Sequence, residues 1–197
     1  MKNLFILFLS TCLIACTEIS YKEPQPKGIK ALTEIPKELR GKYLMEKDTV
    51  FLFEKGLRGW DKEAGKEEVL QIPSDSMVLK KYKGNYFISY RSGDLWNLRV
   101  MKVDKNGDIW LLAMQVLPTV KEQGEGIDSL SVNEKKEKTQ SDDHTKKEFL
   151  TNLSKETPVI ENGSDYIIDP SPRKLNRLLK KGFFETESGK PYLKKIN

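Results

Sequence analysis

Between Lys42 and Leu117 the chain is a succession of short apolar or alternating runs separated by turn residues, and this spacing constrains the fold more than any other feature. Gly41-Lys42-Tyr43 opens a first strand, and Val50-Phe51-Leu52-Phe53, Glu68 to Ile72, Met77 to Leu79 and Tyr86 to Tyr90 follow. In Trp96-Asn97-Leu98-Arg99-Val100 apolar and polar residues alternate, the period of a half-buried strand, and Ile109 to Val116 is more continuously apolar. Lys83-Gly84-Asn85, Ser92-Gly93-Asp94 and Asp104 to Asp108 punctuate these runs, with Gly107 suited to the left-handed conformation that closes a hairpin. The pattern predicts an antiparallel meander of about six or seven strands over a β-rich core, residues 31–120, in an α+β domain.

Short helices are expected on either side of the meander. Pro36 to Arg40 reads as one helical turn, since proline suits the first helical position and Gly41 the end. Residues 121–147 are strongly polar and are expected as a loop or linker. Structure then resumes in 148–197, a C-terminal α/β part expected to pack on the core. Thr145-Lys146-Lys147-Glu148 forms a capping-box pattern ahead of Phe149, Leu150 and Leu153. After a short strand at Tyr166-Ile167-Ile168, Ser171 can cap a helix whose first turn holds Pro172 and whose apolar face is Leu175, Leu178 and Leu179. Gly182 ends that helix, Phe183-Phe184 anchors the chain, and Tyr192-Leu193 is expected as a last edge strand.

The amino terminus speaks to location. Lys2 precedes an apolar run from Leu4 to Ala15, which is too short to span a bilayer and has the form of a secretory signal peptide over residues 1–15. Leu13-Ile14-Ala15-Cys16 resembles the lipobox of bacterial lipoproteins. The resemblance implies cleavage between Ala15 and Cys16 and lipid on the Cys16 sulfur. A thiolate is the nucleophile such a modification needs, and two or three acyl chains anchor stably where one does not. Residues 16–30, with Pro24, Pro26 and Gly28, are expected to form a lipidated tether.

Cysteine use narrows the chemistry. Cys12 leaves with the signal peptide and Cys16 carries lipid, so the exported domain has no disulfide, thiol nucleophile or thiolate metal site. His144 is the one histidine, which excludes a site built from several imidazoles of one chain. Asp142 and Asp143 beside it do not make a catalytic pair, because sequence neighbours do not face one another. Asp104, Asn106 and Asp108 share the alternate spacing of a calcium loop. Gly107 stands at its fourth place rather than the sixth, and Gln115 occupies the position of the bidentate glutamate. A hairpin accounts for these residues without an ion, so neither metal nor cofactor is expected.

Two features point to binding. The C-terminal helix carries Arg173, Lys174, Arg177, Lys180 and Lys181 opposite its leucine face, either as a solvated face or toward an anionic envelope component. The aromatic residues Trp60, Tyr82, Tyr86, Tyr90, Trp96 and Trp110 are core residues or line a ligand cavity in a curved sheet. Gly41-Lys42-Tyr43 is similar to the Gly-x-Trp opening of lipocalins, with tyrosine in place of tryptophan, which implies a curved or lipocalin-like barrel as the alternative fold.

Tyr21-Lys22-Glu23-Pro24-Gln25-Pro26 and Ile35 to Tyr43 resemble the start of uncharacterised lipoproteins of flavobacteria and their relatives, with a looser echo at Pro170 to Phe184. The resemblance implies an envelope lipoprotein without an assigned activity. Surface display in such bacteria goes with an acidic run after the lipidated cysteine, and Thr17-Glu18-Ile19-Ser20 holds only Glu18. The expected address is the outer membrane, facing the periplasm. The expected function is non-catalytic binding of a protein partner or envelope component, with a lipocalin-like small-ligand binder as the alternative. Export separates the chain from nucleic acid, and the sequence leaves the oligomeric state open.

Overall fold

Alternation and turn chemistry shape the middle of the chain into two successive antiparallel meanders. In the computed structural model, which describes residues 19–61, 65–114, 116, 132–163, 165–186 and 188–196, the first meander is β2 (Gly41–Met45), β3 (Asp48–Phe53), β4 (Gly56–Asp61) and β5 (Lys66–Gln71). The second is β6 (Met77–Tyr82), β7 (Asn85–Ser92), β8 (Leu95–Val103) and β9 (Ile109–Ala113). The break falls at Pro73, which has no N–H to continue a ladder. Within each meander every neighbouring pair is antiparallel and in sequence order.

Distant segments complete the two sheets. The outer sheet is five-stranded, ordered β13-β2-β3-β4-β5, with β13 (Lys194–Ile196) brought from the end of the chain. The central sheet is eight-stranded, running β10-β11-β1-β8-β7-β6, with β9 on β8 and β12 (Glu185–Thr186) on β9. Its short strands β1 (Ile19–Tyr21), β10 (Val159–Asn162) and β11 (Asp165–Ile168) form one side, and β1 lies parallel to β11 and antiparallel to β8.

The central sheet is buried on both faces. Tyr86, Met101 and Ile109 point toward the outer sheet and pack with Tyr43, Val50, Leu52 and Leu57. The alternate residues Phe87, Leu98, Val100 and Leu112 point the other way, against Leu153 of α1 (Val132–Glu156) and Leu175 and Leu178 of α2 (Pro172–Lys180). The result is an α+β arrangement of outer sheet, central sheet and helices.

Several expectations are corrected. Thirteen strands are formed among the described residues rather than six or seven, because two meanders replace one and the chain ends add short strands. Neither sheet closes into a barrel, so the lipocalin-like alternative is not the fold. β4 lies where no strand was expected, since Gly56 and Gly59 weaken its pattern. Residues 19–30, expected within a tether, begin as a sheet strand: Ile19 and Tyr21 are each 1% exposed and Gln25 is 0% exposed. α1 starts at Val132 rather than at Thr145, so the second half of the expected polar loop is helical. Lys, Glu and Gln are good helix formers, and a helix polar on all sides shows no apolar period. Leu193 bridges to Ile109, and the last strand proper begins one residue later. Ala15, Cys16, Gln115 and residues 121–131 lie outside the described residues.

Candidate functional site

Strand alternation separates the aromatic group. Tyr86 is buried and Tyr90 half-buried between the two sheets, whereas Tyr82, Trp96 and Trp110 pack on the opposite, helix-side core. Trp60 belongs to the outer sheet and is 57% exposed. The six therefore do not line one cavity.

Trp60 marks a different feature. Along β2 to β5 the residues alternate with those of the inter-sheet core, so one row of side chains faces away from the molecule. In that row Lys42 pairs with Phe51, Phe51 with Arg58 and Arg58 with Val69, while Trp60 pairs with Glu67. Phe51 and Val69 are 40% and 53% exposed. The Arg58 guanidinium lies 5.3 Å from the Phe51 ring centre and 5.9 Å from that of Phe53, with Glu67 at 4.0 Å. The sheet thus presents Phe51, Val69 and Trp60 exposed around Arg58, with Lys42, Glu67 and Lys194 exposed beside them. Isolated exposed apolar residues are ordinary, but neighbours in register form a patch.

The basic helix divides its charges. Leu175, Leu178 and Leu179 are buried as their spacing requires, and Ser171 Oγ accepts the Lys174 N–H at the helix start. Arg177 and Lys181 both reach Glu156 at the end of α1, at 3.1 Å and 2.6 Å. These partners lower the Glu156 pKa, Lys181 most through its hydrogen bond. Lys180 instead joins Lys83, Lys102, Asn85, Asn176 and Leu179 around a pocket of about 250 Å³. A wider groove of about 590 Å³ separates α1 from the β10–β11 hairpin, where Lys146 lies 5.1 Å above the Tyr166 ring.

The other candidates are engaged in structure. His144 is exposed on α1. Asp104 Oδ1 accepts from the backbone N–H of Asn106 (2.8 Å) and Asp108 (3.0 Å), and its Oδ2 accepts from Trp110 Nε1 at 3.3 Å. Asp108 Oδ1 accepts the Lys195 N–H at 2.7 Å, which ties this hairpin to β13.

Two polar arrangements escape the sequence. Tyr86 Oη donates to Glu38 Oε1, and Lys81 Nζ donates to the same oxygen at 3.0 Å. The Tyr86 hydrogen bond, the Glu38 backbone N–H and Lys81 hold the Glu38 carboxyl down to about 2. Lys80, 7% exposed, donates to the carbonyl oxygens of Pro24 (2.6 Å) and Pro26 (3.0 Å), clasping the N-terminal segment to β6. Both join residues more than forty positions apart, so no local spacing announces them.

Comparison with known proteins leaves the geometry to speak alone: no protein-family model, no curated protein and no solved structure matches the chain.

Proposed function

We propose that the protein is a non-catalytic bacterial envelope lipoprotein, acylated on Cys16 at the periplasmic face of the outer membrane, that docks an envelope protein on the exposed face of its outer sheet. The observation that carries the docking is the row Phe51, Arg58 and Val69 with Trp60 beside it, exposed and in register. Tryptophan, other aromatics and arginine supply most of the energy at protein interfaces, because they bury large areas with few rotamers to lose. Lys42 and Lys194 add positive charge beside the central Arg58, against the single Glu67, so the matching partner surface is apolar with acidic residues around it. Anchoring supports the reading through the Leu13-Ile14-Ala15-Cys16 motif, since lipid confines both partners to one membrane.

The test is quantitative co-purification of the acylated protein in mild detergent after cross-linking in its host. Trp60→Ala should weaken capture of a specific envelope protein by roughly thirtyfold, the size of an interface hot spot of about 2 kcal/mol. Ile160→Ala, at another exposed apolar residue (51%), should leave capture unchanged. Equal capture by wild type and Trp60→Ala would remove the outer sheet from the interface. The mass of the N-terminal peptide reads acylation separately, and Cys16→Ser should abolish membrane fractionation.

A further inference from the structure

We infer that the pocket formed by Lys83, Lys102 and Lys180 seats the phosphate of an anionic phospholipid headgroup in the membrane that holds the anchor. This rests on acylation of Cys16 as proposed above. Ile19, 1% exposed within β1, is already part of the central sheet. Only Thr17 and Glu18 separate it from Cys16, and three residue steps span at most about 10 Å. The bilayer is therefore drawn against the domain itself.

Strand direction shows which part of the domain stands at that end. Tyr21 pairs with Trp96 in antiparallel sense, so the Ile19 end of β1 points toward the Val103 end of β8. Met101 of β8 pairs with Tyr86, which places the start of β7 and the Lys83-Gly84 turn at the same end of the sheet. The pocket lies there, between this turn, Lys102 on β8 and the last turn of α2.

Its chemistry suits a phosphate ester. Three lysines, Asn85 and Asn176 line about 250 Å³ together with Leu179, and no acidic residue is among them; the Asn85 amide donates to the Lys83 carbonyl oxygen at 3.4 Å. Asn176 is 7% exposed. Among the described residues none of the three lysines forms an ion pair, whereas Arg177 and Lys181 on the same helix are tied to Glu156. Asp104, beyond the end of β8, is held by two backbone N–H groups and Trp110.

Lys83 adds an independent sign. It sits at φ +49° before Gly84 at φ +81°, the two positive values that a tight hairpin turn demands. Asparagine or glycine adopts the first position more easily than lysine does. Its ammonium lies 5.8 Å from the Tyr82 ring centre, a contact that brings no carboxylate to the charge, and the residue lines the pocket with Lys102 and Lys180.

The experiment is lysine acetylation footprinting of the acylated full-length mature protein in vesicles of phosphatidylcholine, and of equal parts phosphatidylcholine and phosphatidylglycerol. Each lysine near an anionic surface contributes roughly fivefold to binding. Acetylation of Lys83, Lys102 and Lys180 should slow about fivefold or more in the anionic vesicles, while Lys47 in the β2–β3 turn reacts alike in both. Equal reactivity of the three lysines in both vesicles overturns the inference. Equal protection by inorganic phosphate in detergent assigns the pocket to free phosphate and overturns the headgroup. Lys83→Asn separates binding from folding: Tm should stay or rise, while flotation of the unacylated protein with anionic vesicles falls roughly fivefold. If the N-terminal peptide carries no acyl group, the anchor reading fails on its own. Flotation of the unacylated protein with anionic vesicles then decides the pocket, through a roughly fivefold loss in Lys102→Gln or none.

Discussion

Lys80 fastens the first folded residues by two hydrogen bonds to the carbonyl oxygens of Pro24 and Pro26. Burial lowers its pKa from 10.5, and the charge of Glu23 opposes the shift. The unfolded chain therefore holds this proton more tightly than the folded one. The group's contribution to stability rises with pH between the depressed value and 10.5. Lys80→Met should cost about 1–3 kcal/mol in urea unfolding near neutral pH, because two carbonyl groups lose their donor. Glu38 has the same sign at the acid end, for a different reason: its partners favour the charged form, whereas burial disfavours that of Lys80. Its folded pKa of about 2 lies below the ordinary 4.5, with the Tyr86 hydrogen bond the largest cause. Its contribution is present above pH 4.5 and disappears as pH falls through about 2. Glu38→Gln should flatten the acid side of the stability curve over that window, and NMR titration should find the Glu38 midpoint near 2. Solvent weakens the effect, since the Glu38 side chain is 57% exposed.

β4 shows how an element can be necessary and yet poorly written. A Cβ at Gly56 would stand 2.0 Å from the Leu70 carbonyl oxygen of β5, whereas one at Gly65, at φ +61°, would meet nothing within 4 Å. Gly56→Ala should cost about 3 kcal/mol, since backbone must move, and Gly65→Ala about 1 kcal/mol from the left-handed backbone alone. Thermal unfolding of the two variants measures the difference. The glycine that lets β4 approach β5 is the residue that hides the strand, because it removes a side chain from the alternation. Strands such as β7 and β8 are legible for the converse reason: Phe87, Leu98 and Val100 are buried and their neighbours alternate toward the other core. α2 is legible from Ser171, Pro172 and three leucines. β1 is not, since three residues gain their stability from pairing with Tyr166 to Ile168 and Trp96, far away in sequence. The candidate sites divide likewise. The basic face of α2 can be read from spacing, but which lysine joins Lys83 and Lys102 depends on how Glu156 takes Arg177 and Lys181.

At the scale of the molecule, the outer and central sheets bring two surfaces to different places: the aromatic face looks outward from the outer sheet, and the lysine pocket opens at the helix-side end of the central sheet. On the proposed acylation of Cys16, their consequences depend on the distance between lipid and fold. β1 enters the sheet at Ile19, so the connection from Cys16 is a few residues rather than a long tether. A short connection raises the local concentration of the basic end at the bilayer and limits its rotation. Insertion of about ten Gly/Ser residues between Glu18 and Ile19 adds a flexible spacer of roughly 18 Å root-mean-square length. β1 keeps its partners in such a variant, so Tm and acylation should match wild type. Acetylation of Lys83, Lys102 and Lys180 in anionic vesicles should rise toward the rate in neutral ones, because the pocket must then hold the surface by its own affinity. Unchanged protection would show that three lysines and two amides bind the headgroup without help from the anchor, leaving the short connection no part in orienting the domain.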